Sequence, residues 1–365
     1  MTIKRCGGLL AIVWAIVILF PSFSAAQAVA FPKGCLDCHG SNPKYPIRGI
    51  RSQYNTSGHK SIGNASYANG GGCQQCHTNE GFVEYATKGA VDAKGFVANP
   101  SEIGCFTCHA PHEKGDFSLR KSDKVTLANG AAFDKEKGNL CANCHRARRV
   151  AKEEVKTGEI PNDHWGPHHG PQADMLLGTN AYEFPGKKYS KSAHAVVPAA
   201  NCVTCHMSQP TGRYSLSPMV GGHSFRVEGE VHELPKLNTA ACEGCHKDMK
   251  QVKDGTVFAR PSAADYDGDG KVENVQEEVQ GLYEKLINSK ATGLLQVMKN
   301  PLYDAKGEFI KSKVKHPVEV VAALYNYKFV KEDRSDGIHN APYAVQLLMD
   351  SIKALDKSFD DSKRP

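Results

Sequence analysis

Cys141-Ala142-Asn143-Cys144-His145, followed by Cys202-Val203-Thr204-Cys205-His206, is the pattern that decides how this chain folds. Two thiols three residues apart share one face of a helical turn, and the next residue sets an imidazole beside them. In C-x-x-C-H the thiols add to the two vinyl groups of haem as thioethers, and the His becomes the proximal iron ligand. The same pentapeptide recurs at Cys35, Cys38 and His39, at Cys73, Cys76 and His77, at Cys105, Cys108 and His109, and at Cys242, Cys245 and His246. These six units use every cysteine of the 13 except Cys6. Disulfides or zinc sites would suit an even number of cysteines, but neither explains a His directly after each second one. The expectation is six haem c groups with proximal ligands His39, His77, His109, His145, His206 and His246.

Composition agrees with an interior that side chains do not fill alone. The 365 residues are 40% apolar with mean hydropathy −0.44, lean for a conventional core of this length. The predicted fold class is mainly α with extensive loops, a multihaem cytochrome c wrapped around six covalently attached haems, with a helical C-terminal segment. Lys4 and Arg5 precede an apolar run from Leu9 to Phe20, and Ala26-Gln27-Ala28 offers the small residues of a signal-peptidase site. Residues 1–28 therefore read as a secretory signal, 29–260 as the six-haem region, and 261–365 as a helical region packing on it. No later stretch is apolar enough to span a bilayer, so no integral membrane segment is expected in the mature chain. The chain is expected to be exported, to the periplasm or to the cell surface.

Charge excludes little by itself. Without Lys4 and Arg5, 43 basic residues oppose 39 acidic ones, and each haem adds two propionates, so the holoprotein is expected to be net acidic. A sequence pI of 8.6 is then no argument for a nucleic-acid partner.

The sixth iron position separates a carrier from an enzyme. A second imidazole closes the iron to substrate, whereas a missing one leaves room for chemistry. Ten histidines lie outside the attachment motifs, more than six sites need. His59, His194 and His223 each follow small residues that let the backbone approach a flat ring. His112 stands too near its own motif and is expected to reach a neighbouring haem. In His164-Trp165-Gly166-Pro167-His168-His169 one imidazole is expected to be a ligand, with His169 preferred and His168 close behind. His316 precedes Pro317 at an expected helix start and reads as structural. His339 is a candidate ligand supplied from far along the chain.

Residues 247–365 hold no attachment motif and read mostly as helix. Val275, Val279, Leu282, Leu286 and Ile287 recur at three- and four-residue steps, with Asn274 and Glu277 as a capping pair. Two further helices are expected over 317–330 and 342–359. Asp265, Asp267 and Asp269 alternate before Gly270, the first half of a calcium loop, with Gln276 at the usual acidic twelfth position. Calcium is thus a second candidate cofactor.

The run from Ser192-Ala193-His194 through Cys202–His206, His223 and Cys242–His246 to Asp336-Gly337-Ile338-His339-Asn340 resembles the cytochrome c nitrite reductase and hydroxylamine oxidoreductase superfamily, over about the last half of the chain. That resemblance implies His194, His223 and His339 as ligands and a helical C-terminal bundle at subunit contacts. Nitrite reductases commonly carry Lys in the catalytic motif, and all six motifs here end in His. Overall the chain is similar to exported hexahaem cytochromes of metal-reducing bacteria, some of which form filaments. The haem count and the surplus of histidines point to an electron carrier working with redox proteins or extracellular acceptors, and the resemblance allows a homo-oligomer or filament. The alternative is a reductase or oxidase of small nitrogen or sulfur compounds with one open haem.

Overall fold

The longest helices follow from the apolar periodicity at the end of the chain. Val275–Asn288 starts where Asn274 caps it, its side chain accepting hydrogen bonds from the N–H groups of Gln276 and Glu277. Val318–Asp333 ends at Arg334, which takes a left-handed conformation, and Ala341–Leu355 begins with Pro342 in its first turn. In the computed structural model, residues 46–61, 65–110, 117–162, 164–210, 217–231, 233–247, 261–299 and 313–365 are described. Of these, Ile47–Pro365 form one compact unit.

Val318–Asp333 is apolar nearly all round. Every residue from Val320 to Tyr327 is buried, Asn326 included, so this helix is the centre of the core rather than a helix with one apolar face. Val345, Leu348 and Ile352 of Ala341–Leu355, the helix packed on it, share its core cluster, as do Val279, Leu282 and Leu286 of Val275–Asn288, which packs in turn on Ala341–Leu355. Ala151, Val155, Ile160, Trp165 and Met175 complete the same cluster, so the core draws on both sides of residue 260. Asn326 is satisfied there by the N–H and C=O of Tyr182, each at 2.9 Å, and by the Ser351 hydroxyl at 3.2 Å.

Elsewhere the structure is short helices and loops. Among the described residues the strands form three antiparallel pairs, with Val125 opposite Phe133, Glu159 opposite Lys315, and Glu228 opposite Leu237. The second pair ties the segment before Trp165 to the start of the central helix. Gly158, at φ +67°, lies so close to the His316 carbonyl that a Cβ would collide with it. No helix among the described residues is long and apolar enough to cross a membrane.

Candidate metal centres

Five of the six attachment motifs lie in the described residues, and each is built on one helical turn. The helices are Gln74–His77, Cys105–Cys108, Gly138–Ala142, Cys202–His206 and Ala240–Glu243. In four of the motifs the His N–H donates to the carbonyl of the first Cys, at 3.1 Å for His77, 3.0 Å for His109, 2.9 Å for His145 and 2.8 Å for His246. That bond places the imidazole under the two sulfurs. Asn201 caps the fifth motif helix, accepting from the Thr204 N–H at 3.1 Å.

Each of the five described attachment histidines is faced by one histidine from elsewhere in the chain. Ring centroids lie 6.4 Å apart for His77 and His168, 6.3 Å for His109 and His223, 5.9 Å for His145 and His59, 6.2 Å for His206 and His339, and 5.9 Å for His246 and His194. A metal–imidazole bond is about 2 Å, so two rings ligating one metal from opposite sides stand about 6 Å apart between centroids. All five separations fit one ion between each pair. The chemistry of the donors, two imidazoles with two thiols alongside, fits iron in haem c.

His168 is held at φ +66°, a left-handed conformation rare for a residue with a side chain. This turn aims His168, rather than His169, at His77. His169 instead bonds the Glu332 carboxylate through Nδ1 at 3.2 Å and leaves 70% of its side chain exposed. Gly221, at φ +73°, precedes the turn Gly222–Ser224 that carries His223. His59 sits in the short helix Gly58–Ser61 and His194 in Ala193–Val196. Cys35, Cys38, His39 and His112 lie outside the described residues, as does the expected signal at 1–28.

The other ring nitrogen is fixed wherever its partner is described. Nδ1 meets the carbonyl of Phe117 in His109 at 2.8 Å, of Phe225 in His206 at 3.0 Å and of Ile338 in His194 at 2.9 Å. In His145 it meets Gln172 Oε1 at 3.1 Å, and in His339 the carboxylate of Asp333 at 2.6 Å. These bonds select the tautomer that leaves Nε2 free for a metal. Burial pulls the pKa of His59 down to about 4 and that of His168 down to about 3, helped by neighbouring histidines and, for His168, by Arg148. Burial also lowers His77, His145, His194, His206 and His223. Neutral rings carry the lone pair that ligation requires.

The centres adjoin one another. The thiol of Cys76 lies beside that of Cys144, and that of Cys141 beside that of Cys202. Cys205 lies within electrostatic reach of Cys245. Phe225 touches His59 and His223 with its ring while its carbonyl accepts from His206. A cavity of about 300 Å³ opens beside Cys76 and Cys144, lined also by Arg146 and Arg148, where guanidinium groups suit carboxylates such as haem propionates.

In the acidic loop, Asp265, Asp267 and Asp269 bring carboxylate oxygens within 4.8 Å of one another. Asp265 accepts from the N–H groups of Gly268 at 2.6 Å and Gly270 at 3.2 Å, and also pairs with Lys363 at 3.0 Å. Glu278, fully buried, accepts from the N–H groups of Tyr266, Asp267 and Glu273. Its carboxylate closes the loop through the backbone.

Sequence reasoning missed the residues that hold the imidazoles. Phe225 was legible only as part of the glycine-rich stretch around His223. Gln172 and Asp333 gave no signal, because their partners are fixed by packing and not by spacing.

No known family profile matches the chain, and no curated protein does. Among solved structures it is similar to the outer cell wall cytochrome OcwA, at 22% identity and TM-score 0.48, over 84% of this chain and 50% of that one. It is also similar to an undecahaem cytochrome from the S-layer of Carboxydothermus ferrireducens, at 19% identity and TM-score 0.40, over 86% of this chain and 40% of that one. The chain spans half or less of the length of either structure.

Proposed function

We propose that this protein is an exported electron carrier holding six haem c groups with two histidines to each iron, relaying single electrons between redox partners or to extracellular acceptors. The observation that carries the reading is the five facing histidine pairs, each with one member from a C-x-x-C-H motif. Bound haem supplies a one-electron Fe(III)/Fe(II) couple. The residues of the chain do the rest: the cysteines tether, the paired imidazoles close both faces, and the Nδ1 partners hold ring and tautomer.

Contacts between motifs support an order of sites in space. The site of His77 adjoins that of His145 through Cys76 and Cys144, that of His145 adjoins that of His206 through Cys141 and Cys202, and that of His206 leads to that of His246. The site of His109 lies beside this row, since Phe225 touches its partner His223 as well as His59. For the sixth site, at Cys35, Cys38 and His39, we assign His112 as the second ligand, because His169 is engaged by Glu332. Export rests on residues 1–28, and the region 29–260 carries the haems while 261–365 braces them. Calcium at Asp265, Asp267 and Asp269 belongs to the same proposal.

A reductase of the nitrite or hydroxylamine type needs an open iron face, and each of the five described attachment histidines is faced by a second one. The test is the haem content of the purified protein by pyridine haemochrome, with spin-quantified EPR of its oxidised form. Six haems per chain, all low-spin, is the expected result. A high-spin component near one haem in six would favour the reductase, and no covalent haem would sink both readings.

A further inference from the structure

One of the five pairs has a carboxylate behind one of its rings. The Nδ1 groups of His109, His145, His194 and His206 meet neutral oxygens, three backbone carbonyls and one amide. His339 meets the Asp333 carboxylate, at 2.6 Å, and the Asp333 side chain is wholly buried. Among the described residues no Lys or Arg pairs with that carboxylate. Its other side-chain partner is the Ser335 hydroxyl, which also accepts from the His339 N–H at 3.1 Å.

We propose that Asp333 sets the potential of the haem held by His206 and His339 below those of its neighbours, as a positioning residue acting through His339. The inference rests on the haem reading above. A carboxylate on Nδ1 gives the imidazole more of the character of an anion and makes it a stronger donor to iron. A buried negative charge with no Lys or Arg beside it among the described residues also favours the more positive of two iron states, and does so strongly where water is excluded. Both effects stabilise Fe(III) over Fe(II), the direction in which axial donors and nearby charge tune haem. This site lies between those of His145 and His246, so the relay has a low step in its interior rather than at an end.

The test is an EPR-monitored redox titration of the holoprotein and of two variants. In Asp333→Asn the amide oxygen can still accept from His339 while the charge is gone. One haem equivalent should then shift its Fe(III)/Fe(II) ratio about tenfold toward Fe(II) at fixed potential, about 59 mV upward for a one-electron couple. Ser335→Ala withdraws a hydrogen bond from the carboxylate, strengthens its pull on His339, and should move the same haem the other way. Six low-spin haems with unchanged potentials in both variants would overturn the inference and leave the haem reading standing. Shifts of the same sign in both would also overturn it, since a loosened structure does that. Absence of covalent haem in the unaltered protein would remove the reading itself.

Discussion

The imidazole of His59 meets that of His145 edge-on at 5.9 Å, and the Phe225 ring lies 4.7 Å from His59 on another side. A residue from the first described helices thus faces an attachment histidine that comes much later in the chain. Replacing His59 with Ala should leave the haem at Cys141 and Cys144 attached but open on one face. EPR should show one high-spin haem equivalent, and that iron should bind added cyanide or imidazole. Retention of all low-spin signals would refute the pairing.

His168 and His169 are adjacent, yet only His168 faces His77. His168→Ala should create one high-spin haem, whereas His169→Ala should leave every haem low-spin and cost only the exposed bond to Glu332, at most about 1 kcal/mol. The reverse outcome in the two spectra would exchange their roles.

His112 is the ligand proposed for the first motif. His112→Ala should open one haem, and a double variant with His59→Ala should open two. A double variant with only one high-spin haem would mean that the sixth ligand comes from another residue or a second copy of the chain.

Asp174 is buried and accepts hydrogen bonds from the Ala147 N–H at 2.7 Å and the Asn180 amide at 2.8 Å. Burial nonetheless pushes its pKa up from 3.8 to about 6. The folded state therefore holds this proton more tightly than the unfolded chain does. No penalty exists below pH 3.8, and the full penalty is present above about pH 6. Stability should fall by about 3 kcal/mol across that window from this group alone. Guanidinium unfolding of the holoprotein and of Asp174→Asn at several pH values should show a difference that changes between pH 4 and 6 and is flat above. A constant difference would exclude the titration.

Calcium at the acidic loop competes with the Lys363 ammonium for Asp265. Titration calorimetry on chelator-treated holoprotein should give weak binding, at about 10⁻⁴ to 10⁻³ M. Lys363→Ala should tighten it and Asp265→Asn should abolish it. No heat in the unaltered protein at millimolar calcium would remove the ion from the proposal.

What the sequence made legible was what local spacing dictates. Thioether chemistry requires C-x-x-C-H, so every motif could be read without a fold. The helix Val275–Asn288 was legible for the same reason, because its cap and its periodicity are local. The partners of the attachment histidines depend on contacts between distant segments, and the choice between His168 and His169 depends on one left-handed backbone angle that no propensity specifies. The central position of Val318–Asp333 was equally hidden. Its sequence marked only a helix over 317–330, and the surrounding helices, Trp165 and Met175 are what show that nearly its whole circumference is covered from Val320 to Val330.

The five pairs also bear on how the molecule comes apart. They join residues 59 and 145, 77 and 168, 109 and 223, 194 and 246, and 206 and 339, and these spans interleave rather than nest. With iron across each pair the chain is laced like a boot, and no segment can peel away while the others hold. A protease nick in one loop should leave the fragments travelling together through native gel filtration, and denaturant should release all the haem ligands in a single transition. Competing for the iron with added imidazole would then loosen the lacing from within.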